Sequence, residues 1–202
     1  MARLAHYLMA SEWRAALIAS LLLFLPLLSW AGASVVALYA LRRGLDQSLM
    51  VTVIPMLSAL VMAFGFGDSG MLLVLVITAV LAAVLHRTLS WLTVLVVGLV
   101  ISLGLVILVG ALYEETLKGL VVAIKEVVAP PAQLATLGVD EATVDAWMAS
   151  LSVGALSFVN MVSALFALTF ARALQAQAYN PGGFKTEFEA VILPPVFAAG
   201  CL

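Results

Sequence analysis

The sequence predicts an all-α fold, a polytopic transmembrane helical bundle with about five or six membrane segments. Three observations carry this reading. Of 202 residues, 65% are apolar and only 10% are charged, too few polar groups to cover a water-exposed surface. The apolar residues fall in continuous blocks long enough to enter or cross a bilayer. No Asp, Glu, Lys or Arg interrupts those blocks, and the charges lie in the links between them.

The first block runs from Ala15 to Leu41 and is broken by Pro26 and Gly32. Arg3 and Arg14 precede it, and Arg42 and Arg43 follow it. Lys and Arg are retained on the cytoplasmic side, so both ends read as cytoplasmic. The favoured solution is two helical arms that turn near Pro26 to Gly32. Each arm, about 20 Å long at the helical rise, falls short of the ~30 Å hydrocarbon core, so other helices must cover the turn. One long tilted helix kinked at Pro26 is the alternative. A cleaved signal peptide ending at Ala31-Gly32-Ala33 is a third reading, opposed by Glu12 ahead of it and by the apolar stretch Ser34 to Leu41 behind it.

The later blocks are Leu49 to Phe64 with Pro55 inside, Met71 to Leu85, Trp91 to Leu112, and Leu151 to Ala171. Charge assigns their sides. Arg42, Arg43, Arg87, Arg172 and Lys185 belong inside. Asp68, in the Gly65 to Gly70 link, belongs outside. So does the stretch Tyr113 to Ser150, whose six acidic residues against Lys118 and Lys125 give a net charge of -4. The chain is then one multi-pass domain, residues 1–202, in the cell membrane, with a cytoplasmic N-terminus and the lipid bilayer as its first partner.

The outer stretch, 113–150, has structure of its own. Leu117, Leu120, Val121, Ile124, Val127 and Val128 recur at helical spacing, with Glu114, Lys118, Lys125 and Glu126 on the remaining surface. This predicts an amphipathic helix on the membrane face, ended by Pro130-Pro131. A second short helix starts near Asp140, an N-cap residue type, and leads through Trp147, at the outer interface, into the fifth block. The link at 172–190 is a cytoplasmic elbow. Asn180, Pro181, Gly182 and Gly183 forbid a continued helix. Phe184 and Phe188, four apart, then share one face of a short helix. A structural turn is the plainer reading of this string, and a partner-docking surface the sharper one. Residues 191–202 are apolar but only about 18 Å long as a helix, so they read as the start of a further membrane segment or as an interfacial end.

Several function classes are discounted. No basic tract offers nucleic acid a grip. A single cysteine, Cys201, allows neither an intramolecular disulfide nor a Cys-based metal cluster. His6 and His86 lie far apart and read as interfacial polar residues rather than metal ligands. Gly65-Phe66-Gly67-Asp68-Ser69-Gly70 spells G-x-G-x-x-G, but no βαβ context surrounds it, so it reads as a turn between membrane helices. No metalloprotease, Walker or nucleophile-elbow motif is present. The expectation is therefore no catalytic residue, no metal and no cofactor. The blocks also lack the ionisable groups at depth that pumps and charged channels use.

Asn160 is the most polar residue deep in a block. Interhelical hydrogen bonding is its plainer role, and ligand contact with Ser102 and Thr78 the sharper one. Gly98, Ser102, Gly154, Ser157, Ala164, Ala167 and Ala171 supply small-residue packing faces.

Two strings resemble a known family. Arg14 to Ser20, with the apolar stretch through Pro26 and Leu41-Arg42-Arg43-Gly44, resembles the start of YybS-like membrane proteins. Tyr179 to Phe188 resembles the elbow of their proteobacterial members. That family has no established activity, and its architecture is similar to the substrate-binding S components of energy-coupling-factor transporters. The resemblance implies a solute-binding subunit that docks a transmembrane coupling subunit through small residues of its first helix, where Ala15 and Ala19 stand. It assigns no ligand site. The other expectation is a non-transporting scaffold or assembly factor that acts through the elbow.

Overall fold

The structure, a computed structural model, describes residues 2–25, 28–112, 117, 119, 121, 122, 141–180 and 182–189. These residues are helical or lie in turns, and no strand occurs among them. Eight helices are defined: α1 (Ala2–Met9), α2 (Glu12–Leu23), α3 (Ser29–Arg43), α4 (Leu49–Phe66), α5 (Gly70–Thr88), α6 (Trp91–Leu112), α7 (Glu141–Tyr179) and α8 (Gly183–Glu189). Four of them, α4 to α7, are long and apolar enough to cross a membrane. The chain thus has the composition and helix lengths of an integral membrane protein.

The first block folds as the two arms expected and not as one long helix. It is two shorter helices, α2 and α3, of 12 and 15 residues, packed against each other. Pro26 accounts for the break, since it has no N–H to donate and disfavours helical geometry in the residue before it. The end of α2 tightens accordingly: Phe24 and Leu25 donate to carbonyls three residues back, both at 3.2 Å. At Gly32 the two arms meet backbone to side. A Cβ there would stand 2.7 Å from the Ala19 carbonyl oxygen, so only glycine permits the approach. Glu12 and Arg43 pair at the open end of the hairpin, and Tyr39 Oη donates to the Leu8 carbonyl at 2.9 Å, which ties α1 to it.

Two compact units are distinguished. The first comprises Met1–Leu99 and Met161–Leu202; the second is Val100–Asn160. In the first, α3 packs most extensively on α5, and α2 lies on α4. Within its apolar window α5 is 56% buried, against 17% for α4, so α5 is the enclosed helix and α4 a peripheral one. The exposed face of α4 carries Leu57, Val61 and Phe64, a surface that suits lipid and not water. Trp30 meets Phe166 and Phe170 edge-on, at 4.7 and 5.5 Å between ring centroids. Gly67 (φ +73) ends α4 in the left-handed conformation, and Asp68 Oδ1 accepts from the Gly70 N–H at 3.0 Å. The glycine-rich string is a helix-to-helix turn.

In the second unit, Leu105 and Val109 of α6 are buried one turn apart, and Ser152, Ser157 and Asn160 of α7 are buried as well. Leu103, Ile107, Leu151 and Phe158 are exposed. Of the expected amphipathic helix, only 117, 119, 121 and 122 are described. They are helical, with Leu117 and Val121 buried and Val122 exposed. Pro130-Pro131, Asp140 and residues 191–202 lie outside the described residues.

The apolar run ends at Ala171, but α7 continues unbroken through Arg172 to Tyr179, 39 residues in all. Residues 172–179 contain no proline or glycine, so their polarity changes the surface of the helix without ending it. The break comes at Gly182, with φ +91.

Candidate functional site at the basic end

The links at one end of the first unit converge. The start of α2, the ends of α3, α5 and α7, the start of α6, and α1 and α8 are joined there by the contacts below. Seven Lys and Arg (Arg3, Arg14, Arg42, Arg43, Arg87, Arg172, Lys185) belong to these segments, against Glu12, Asp46, Glu187 and Glu189. Asp68 lies at the opposite end of α4 and α5.

The centre of this end is a main-chain atom. The last carbonyls of any helix lack intrahelical donors. In α3 the Ala40 oxygen receives the Gly44 N–H at 2.9 Å. The Leu41 oxygen faces two side chains, His86 Nδ1 at 3.1 Å and Gln175 Nε2 at 3.3 Å. One carbonyl has two lone pairs and can accept both. Because a carbonyl only accepts, His86 must carry its hydrogen on Nδ1 in this contact. Three helix ends are thereby fastened to one oxygen.

Gln175 extends the chain of contacts. Its Oε1 accepts from Arg172 Nη1 at 2.7 Å. Arginine only donates and a carbonyl only accepts, so the orientation of the amide is fixed from both sides. Arg172 also grips Glu187 with two nitrogens; Nε to Oε2 is 2.9 Å, and Nη2 meets Oε1. This fork-on-carboxylate pair holds α8 against α7. Trp91 meets Phe184 edge-on at 6.3 Å, and Asn180 packs so closely that a Cβ on Gly183 would collide with its side chain. Beside this line, the Arg42 guanidinium sits 3.9 Å above the Tyr179 ring, whose edge meets His6 at 5.5 Å.

Two hollows flank His86. One, of about 380 Å³, is lined by Leu41, Leu85, His86, Leu89, Arg172, Gln175 and Glu187. The other, of about 270 Å³, is lined by Arg43, Gly44, Leu45, Asp46, Gln47, Ala83, His86 and Arg87.

The residues singled out from sequence fall in separate places. Asn160 is 7% exposed and donates to the Leu156 carbonyl of its own helix at 2.8 Å. This N–H bonds as the hydroxyls of Thr52, Ser58, Ser157 and Thr169 do, to a carbonyl one turn back. Thr78 is fully buried, and its hydroxyl reaches across to the Ala164 carbonyl at 3.5 Å, the long limit of a hydrogen bond. Ser102 lies on α6 in the second unit. Ala15 and Ala19 are both fully buried, so the small face of α2 is already covered within this chain and is not open to a partner. Of the elbow, Asn180, Gly182, Gly183 and Phe184 are at the basic end; Phe184 is half-buried. Pro181 and the Phe188 side chain lie outside the described residues.

Sequence reasoning missed the Leu41 carbonyl, Gln175 and the role of His86. Among the described residues, no group of three His, Cys, Asp or Glu side chains is placed to hold a metal. No family model, curated protein or solved structure matches the chain.

Proposed function

We propose that this chain is a non-catalytic, multi-pass membrane scaffold whose basic end presents a fixed surface to another protein. The positive-inside rule places that end, and the N-terminus, on the cytoplasmic side of the cell membrane. The observation that carries the reading is the bracing of α8. A seven-residue helix after a Pro-Gly-Gly turn has no stability of its own, yet here an arginine fork, an aromatic contact and a glutamine relay tie it back to the bundle. Such bracing preorganises a surface, which lowers the entropic cost of binding. Thr186 and Lys185 are exposed on it. A photo-crosslinker at Thr186 tests this in native membranes. The reading expects one discrete adduct, weakened when Glu187→Ala frees α8. A chain that yields no adduct and purifies alone contradicts it.

The solute-binding reading implied by the YybS-like resemblance is second. It draws on polar side chains, Asn160 and Thr78, within apolar helices. Both reach main-chain carbonyls, and the alanine face that would dock a coupling subunit is enclosed, which is why the scaffold reading stands first. A small molecule that co-purifies and is lost in Asn160→Leu would reverse the order.

A further inference from the structure

The smaller hollow has a chemistry that the bracing network does not use. Arg87 lines it, is exposed, and has no ion pair among the described residues. Arg43 lines it too; it gives Nη1 to Glu12 and lies 5.7 Å from the centre of the Tyr39 ring. His86 also lines this hollow. Its Nδ1 is held by Leu41, and its Nε2 edge lies toward Gly44, where a Cβ would come within 3.4 Å. Gly44 has φ +81, so glycine both permits the turn and admits the ring. Two arginines therefore line a space of about 270 Å³, and an anion held there would be attracted by both.

The shape and place of the hollow select the anion. It lies just below the ~300–1,000 Å³ typical of drug-sized ligands, so it suits a small group. Guanidinium forks match the oxygens of a phosphate. The hollow opens where α3 and α5 end beside their apolar faces, the level at which basic pockets between membrane helices meet lipid headgroups. Asp46, also on the lining, opposes an anion and keeps the site weak.

We propose that this hollow binds a phosphate group between Arg43 and Arg87, carried by an anionic phospholipid or by a free phosphate compound. The proposal is independent of the scaffold reading. The test uses the full chain in phosphatidylcholine nanodiscs, with and without phosphatidylglycerol. Lipid retention is read by native mass spectrometry, and thermal stabilisation by titrated inorganic phosphate is read in phosphatidylcholine alone. A lipid ligand gives selective retention of phosphatidylglycerol; a free ligand gives saturable stabilisation by phosphate. In either arm, Arg87→Gln lowers the effect about five-fold, the scale of one basic residue near an anionic surface. Lys185→Gln, an equal charge loss outside the hollow, leaves it unchanged, and Asp46→Asn raises it. Equal loss in Arg87→Gln and Lys185→Gln means a diffuse surface field and overturns the site. So does the absence of any response to phosphatidylglycerol or phosphate, or an Asp46→Asn chain that binds no better.

Discussion

Gly32 and Leu89 show how single backbone positions shape the α2–α3 hairpin and its neighbours. At Gly32 the Ala19 carbonyl oxygen stands where a Cβ would go, at 2.7 Å, with Leu23 Cγ at 3.0 Å. A main-chain oxygen cannot swing aside, so Gly32→Val must push the arms apart. It should destabilise the protein by about 1–3 kcal/mol, the range for overpacking, as a lower melting temperature in detergent. An unchanged melting temperature would mean that the arms do not touch there. Leu89 is the converse case. It ends α5 with φ +52, a left-handed conformation that suits glycine, while its side chain is 81% exposed. Its N–H still closes the helix on the Leu85 carbonyl at 2.9 Å. Leu89→Gly should raise stability by about 0.5–1 kcal/mol through relief of strain. A loss instead would show that the Leu89 side chain is anchored in the membrane interface.

Elements are joined through the Leu41 oxygen, and this joint has a thermodynamic signature. Gln175→Leu or His86→Leu alone leaves the carbonyl one partner and should lower stability by about 0.5–1 kcal/mol. Both together leave it bare, so the double variant should exceed the sum by about 1 kcal/mol. Strict additivity in that cycle would show that the two contacts are independent of one another. This joint was not legible in the sequence, because an accepting main-chain carbonyl has no residue identity. His86 could be read as polar and interfacial, but not as a cap for a helix 45 positions away. Gln175 lies in the polar stretch after Arg172, and its partners across the fold are not written in the local sequence. Charge changes which solvent a helix faces; only Pro181 and the glycines after it change the backbone. The hairpin, by contrast, was legible, since Pro26 and the basic residues at both ends constrain the backbone and the topology directly. Asn160 was legible as buried but not in its bonding, because an amide one turn from a carbonyl can satisfy itself.

For the whole molecule, one physical fact governs the rest: apolar helices sort to lipid and basic links to one face. In the first unit the contacts among Glu12, Arg43, Leu41, His86, Gln175, Arg172 and Glu187 bring the basic links together, and α4 and α5 hold Asp68 at their far end. This sidedness is the central claim, and it is tested most directly by single-cysteine labelling with a membrane-impermeant reagent. The background is Cys201→Ser, with cysteines placed at Arg42, Arg87, Lys185 and Asp68 in turn, in intact cells and in permeabilised ones. The account predicts that only the cysteine at position 68 is labelled in intact cells, and that the other three become reactive together on permeabilisation. Labelling at position 87 in intact cells, while position 185 stays protected, would contradict it.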